Sequence, residues 1–168
     1  HAGMVRLHCS LIDTEALGYV IPTRSIGRAL VNRLQSISSI RYLTPANAIN
    51  LEITADAAIV DCEGVSSPLA ASLLVIADGG RSLLGAKAGI AKTEKSYPQS
   101  VLVAIVGTDR KHSGMAFERF TLHGPIALLP FDKSRFALAW TLPTRQAQLH
   151  AQLPISEFLA RLQRDFGE

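Results

Sequence analysis

The chain has 168 residues, 48% of them apolar and 18% charged, which supports one good core and excludes a disordered tail or linker. Its net charge of +3 comes from 17 Lys and Arg that are scattered without interleaved aromatics, arguing against a nucleic-acid partner. No apolar run is long enough to span a bilayer and no secretory leader pattern opens the chain, so a soluble, cytoplasmic protein with Cys9 and Cys62 as reduced thiols is expected.

In chain order, Met4 to Leu11 (MVRLHCSL) is rich in β-formers with Val5 and Leu7 on one face, which predicts a strand. RSIGRALVNRLQS follows, where Ile26, Leu30 and Leu34 recur four apart beside Ala29; this predicts an amphipathic helix capped by Thr23 or Ser25. Short strand patterns appear in IRYLT, AINLEIT and AAIVDCE, the last two separated by Ala55 and Asp56 as in a hairpin. The run Leu73 to Ile76 is unbroken in its apolar character and predicts a strand covered on both faces, ending in ADGGRS.

From Ser100 the pattern changes. SVLVAIVGT, MAFERFTLH, PIALLPF and RFALAWTL read as four strands joined by the turn-like DRKHSG, HGP and FDKS. A last helix, PISEFLARLQRDFG, has Pro154 near its first turn, Ile155, Phe158, Leu159, Leu162 and Phe166 on one face, and Gly167 as its stop. The composite is a sheet with a helix, preceded by a helix and strands that belong to a different layer.

None of GxGxxG, a Walker-type phosphate loop, GxSxG, HExxH or paired CxxC occurs. His1, His8, His112, His123 and His150 have no ligand spacing, so no metal site is expected. What remains is the strand that ends in an acid and two glycines. Such a turn suits a carboxylate accepting from a ribose hydroxyl, with glycine letting backbone come close; it equally suits an aspartate that caps a turn after a core strand.

Taken together, ADGGRS, the upstream YVIPTRSIGRALVNRL, and the downstream AFERFTLHGPIALLPF and RFALAWTLP resemble the FAD-dependent aromatic hydroxylases of ubiquinone biosynthesis. Within that family the pattern is nearest the 2-octaprenyl-6-methoxyphenol hydroxylases, and the likeness runs from Ala2 to Gly167. The resemblance implies an α+β chain: a mixed β-sheet substrate domain with a packed helix, plus part of an FAD-binding α/β domain. Residues 1–11 would be the first strand of the substrate domain, 12–99 the partial FAD-binding segment, and 100–168 the substrate-binding sheet and helix.

It also implies a monooxygenase that hydroxylates a polyprenylated phenol with NAD(P)H and oxygen. Asp78 and Gly79 would contact cofactor, with Gly80, Arg81 and Ser82 completing the turn and Arg24 at flavin or phosphate. Phe117, Phe120, Leu128, Leu129 and Trp140 would line the substrate cavity, although strand alternation lets only about half of them face it. The cofactor carries the chemistry in this class, so the resemblance assigns no catalytic residue here. Two positions depart from the family pattern, Gly85 and Gly27, where relatives carry Arg and Gln or Arg.

By the same resemblance the dinucleotide loop precedes His1 and a second flavin motif follows Glu168, making this the middle of such an enzyme. This segment alone is then expected not to retain FAD, and the whole protein to sit peripherally at the inner membrane or against other ubiquinone-biosynthesis proteins. Two alternatives stay open: a non-enzymatic lipophilic-ligand or protein-interaction domain, and a sister hydroxylase acting at another ring position.

Overall fold

The computed structural model describes residues 3–79 and 83–167, and the chain divides into two compact units, His1–Arg28 with Tyr97–Glu168 and Ala29–Ser96. The division falls within α1 (Thr23–Gln35), the helix expected from the spacing of Ile26, Leu30 and Leu34. The expected caps, Thr23 and Ser25, both lie inside it. The carbonyl of Pro22 takes their place, accepting from Ser25 N at 2.8 Å and Ile26 N at 3.3 Å.

In the smaller unit, β1 (Asn47–Ile53), β2 (Ala58–Glu63) and β3 (Leu69–Ala71) form an antiparallel sheet in that order, followed by the single turn α2 (Leu84–Lys87). The β1–β2 hairpin forms where Ala55 and Asp56 predict it. Thr54 closes the turn, its N–H donating to Ala57 O at 2.9 Å while its Oγ1 accepts from Ala57 N at 3.0 Å. Leu51, Val60 and Leu84 are the buried centre, with Ala58, Cys62, Leu74, Ile76 and Ala88 packed around them. The β1–β2 register slips between Ala48 and Asn50. Lys87 reaches the slip from α2, its Nζ donating to Ile49 O at 3.3 Å and Asn50 Oδ1 at 2.6 Å.

In the larger unit, β4 (Gln99–Gly107), β5 (Phe117–Thr121), β6 (Gly124–Pro130) and β7 (Arg135–Pro143) form a sheet of order β4-β7-β6-β5. All four strands expected from the second half of the sequence are present. Two helices follow, α3 (Thr144–Ala151) and α4 (Ile155–Phe166), with Pro154 at the start of α4 and Gly167, at φ 83°, closing it. The core is one face of β7, Phe136, Leu138, Trp140 and Leu142, joined by Val106, Ile126 and Leu128 from neighbouring strands and by Ala147 and Leu162 from the helices. Trp140 is fully buried, with His150 edge-on at 5.1 Å and Phe158 at 5.7 Å.

Several expectations are corrected. Both sheets pair only antiparallel among the described residues, rather than forming a mixed sheet: the strands follow one another through short links, and a parallel pair needs a long crossover. Met4 to Leu11 forms no strand; Cys9–Ile12 is a 3-10 turn, and Val5 and Leu7 stay exposed. IRYLT and Leu73 to Ile76 are likewise outside any ladder. A strand exists through its hydrogen-bonded partner, and β2 pairs with β3 only as far as Ala71. Leu73 to Ile76 is covered on one side alone, with Leu74 and Ile76 packed inward and Leu73 and Val75 exposed. The helix α3 went unread in TRQAQLHA, because its two buried residues, Ala147 and His150, leave too small a stripe to announce a period.

Gly124 closes the β5–β6 turn at φ 142°, and a Cβ there would stand 2.6 Å from the carbonyl oxygen of Thr141 on β7. Replacing Gly124 with Ala is therefore expected to cost about 1–3 kcal/mol, read as a lowered melting temperature of the larger unit. At the β6–β7 turn, Asp132 accepts from Arg135 Nε at 2.7 Å and from the backbone N–H groups of Ser134 and Arg135. The Arg135 hydrogen bonds hold the Asp132 carboxyl below its usual 3.8. This contribution is complete above the ordinary carboxylate value and is lost as pH falls through the lower folded value. An NMR titration of Asp132 should show a midpoint under 3.8, returning toward that value in Arg135→Ala.

Candidate functional site

The strand registers sort the larger sheet's side chains onto two faces. Phe117 lies opposite Leu128, Leu128 opposite Leu138, and Trp140 between Ile126 and Leu102. This is the face against the helices, where Phe117 stands edge-on to Phe166 of α4 at 6.3 Å. Phe120 and Leu129 point the other way. They share the open face with Val101, Val103 and Ile105 of β4, Pro125 and Ala127 of β6, and Ala137, Ala139 and Thr141 of β7.

The five expected cavity residues are thus divided, Leu128 and Trp140 in the core with Phe117 exposed on that same side, and Phe120 and Leu129 on the opposite face, and the two sets cannot line one cavity. The open face is apolar and exposed at its periphery, Val103 at 77% and Phe120 at 76%, with alanines along its centre. Exposed apolar area of this kind is where an apolar molecule or a partner can lie. Val101, Val103, Ile105, Ala127, Ala137 and Ala139 are not among the residues that the sequence assigns to the cavity, which are the large apolar ones of β5, β6 and β7. The signal was there in the alternation of large and small residues along RFALAWTL.

In the smaller unit, Asp78 and Gly79 lie in an exposed bend after Leu74 and Ile76 anchor the chain to the core. Gly79 has φ 80°, a conformation that glycine adopts without strain, and a Cβ there would meet nothing within 4 Å. Among the described residues Asp78 makes no hydrogen bond or ion pair, so its carboxylate is available to a ligand hydroxyl. Gly80, Arg81 and Ser82 lie outside the described residues. Arg24, in the larger unit, is exposed in the first turn of α1. Among the described residues no cluster of His, Cys, Asp or Glu could hold a metal ion, and no helix is long and apolar enough to cross a membrane.

Among the relatives that this chain matches are a hydroxylase and a monooxygenase of ubiquinone biosynthesis. Ubiquinone hydroxylase UbiL of Rhodospirillum rubrum is 34% identical over 169 residues, covering 96% of this chain and 38% of that protein. The mitochondrial ubiquinone biosynthesis monooxygenase COQ6 of Mus musculus is 26% identical over 163 residues, 92% of this chain and 34% of its own length. An uncharacterized Synechocystis protein, slr1300, is 31% identical over 159 residues, with 94% and 38% covered. No protein-family model matches. These similarities support the ubiquinone hydroxylase family; the chain matches a partial segment of it, little more than a third of the length of these relatives.

The two faces of the larger sheet differ in what they tolerate. Leu138→Ala, in the core, should cost about 2–5 kcal/mol, whereas Val103→Thr on the open face should stay within about 0.5 kcal/mol. Thermal or denaturant unfolding of the two variants checks the assignment of faces.

Proposed function

We propose that this chain is a segment of an FAD-dependent monooxygenase that hydroxylates the aromatic ring of a polyprenylated phenol in ubiquinone biosynthesis, with NAD(P)H and oxygen as co-substrates. The observation that carries the reading is the 34% identity to a ubiquinone hydroxylase along 96% of the chain. In this reading residues 12–99 are the partial FAD-binding segment, and residues 100–168, with their sheet and helices, the substrate side.

The residues fit that division. Asp78 offers a carboxylate without a protein partner beside a glycine whose backbone is open to close approach, which suits a ribose hydroxyl of FAD or NAD(P)H. Arg24 stands at the N-terminal turn of a 13-residue helix, where its guanidinium and the positive end of the helix dipole favour a phosphate. When bound, the flavin supplies the redox chemistry that activates oxygen. The protein's own share is to bind, orient and keep water away. Phe120, Leu129, Val101, Val103 and Ile105 do so as the floor under an apolar substrate, and Phe117, Leu128 and Trp140 support that floor from the core side.

Burying a prenyl tail on such a surface is worth about 0.8 kcal/mol per CH₂. The same hydrophobicity draws the substrate into membranes. On this reading the whole enzyme works in the cytoplasm, peripheral to the inner membrane, meeting its substrate at the membrane surface or through other ubiquinone-biosynthesis proteins.

In the full-length protein, Asp78→Ala should weaken FAD retention or slow NAD(P)H-driven flavin reduction by about ten- to a hundredfold, the loss of one charge-assisted hydrogen bond. The melting temperature of the apoprotein should be unchanged. Equal affinity and reduction rate in the variant would remove Asp78 from the cofactor site.

A further inference from the structure

Away from its ends, the open face of the larger sheet carries one charged side chain. We propose that Glu118 determines substrate specificity, accepting a hydrogen bond from the ring hydroxyl of the aromatic substrate and so selecting phenols over their ethers; this rests on the hydroxylase reading above. Glu118 stands at the head of a row that crosses the whole sheet: Glu118 opposite Ala127, Ala127 opposite Ala139, Ala139 opposite Val103. To one side of that row lie Phe120, Pro125, Thr141 and Val101, and to the other Leu129, Ala137 and Ile105. The other charged residue of this face, Arg135, is at the end of β7 and is tied to Asp132. Glu118 is exposed and makes no hydrogen bond or ion pair among the described residues.

The arrangement has a shape and a polarity. The two alanines keep the row low between Glu118 and Val103, with the larger Pro125 and Leu129 on either side of Ala127. Strands spaced about 4.8 Å apart put Ala139 about 10 Å from Glu118, enough for a single aromatic ring to lie over Ala127 with its hydroxyl toward β5. A carboxylate only accepts hydrogen bonds. A phenol satisfies it on an otherwise apolar surface, while an O-methyl ether offers no donor and leaves it desolvated and unpaired, which is the asymmetry that makes a polar group discriminate strongly.

The test uses the full-length protein, a short-chain prenylated phenol and the O-methyl ether of the same compound, with affinity and turnover measured for each. The wild type should favour the phenol by about ten- to a hundredfold. Glu118→Ala should abolish that preference by weakening the phenol alone, leaving the ether unchanged. Glu118→Gln, whose amide oxygen still accepts, should keep part of it. Because the side chain is exposed, unchanged melting temperatures are expected for both variants. Discrimination that survives in Glu118→Ala, or an equal loss for phenol and ether, would overturn the assignment. A wild-type protein that neither binds nor hydroxylates either compound would instead overturn the hydroxylase reading, and this inference with it.

Discussion

The side chains of β7 sort by size as well as by face. Phe136, Leu138, Trp140 and Leu142 project toward α3 and α4, while Ala137, Ala139 and Thr141 project the other way. A strand with period two must send alternate residues to opposite sides, so four large apolar groups on one side fix where the helices sit. Trp140 is the centre of that packing, filling the space between β4, β6, His150 and Phe158. The small residues on the reverse are the complement of the same rule. With little bulk above β7, the open face is lowest over Ala137, Ala139 and Thr141.

The smaller unit solves a different problem. It has three buried hydrophobic residues, so it gains less from packing and more from specific hydrogen bonds. Lys87 holds the irregular part of β1 through Ile49 O and Asn50, and Asn50 in turn donates to Asp61 Oδ2 at 3.1 Å. This chain of contacts joins α2 to both strands of the hairpin. The exposed bend at Asp78 lies between β3 and α2, and is held at its near end by the inward side chains of Leu74 and Ile76.

Much of the larger unit was legible in the sequence, because strands with one buried face and a helix with a wide apolar stripe print their periods directly. The hairpin at Ala55 and Asp56 was legible for the same reason. What failed was anything that depends on a partner. MVRLHCSL and SLLVI have the composition of strands, yet neither meets a neighbouring strand among the described residues, and composition carries no information about that. Cavity residues were chosen for being large and apolar, which is also what a core selects; Trp140 and Leu128 satisfy the criterion through the core. The alanines and Glu118 on the open face become visible only once the registers set them side by side.

The two edges of the larger sheet are unlike. On β5, Glu118 and Arg119 occupy successive positions and so put a charge on each face, and Arg119 also reaches across to the carbonyl of Phe166 at the end of α4. On β4, the run from Val101 to Val106 is Val-Leu-Val-Ala-Ile-Val without a single charge, proline or bulge. A flat, uncharged edge is a template for any other strand, whereas a charged and strapped edge resists one. Any strand added to this sheet would therefore meet least resistance along β4, and a lysine at Val103 would give that edge the charge that β5 already carries.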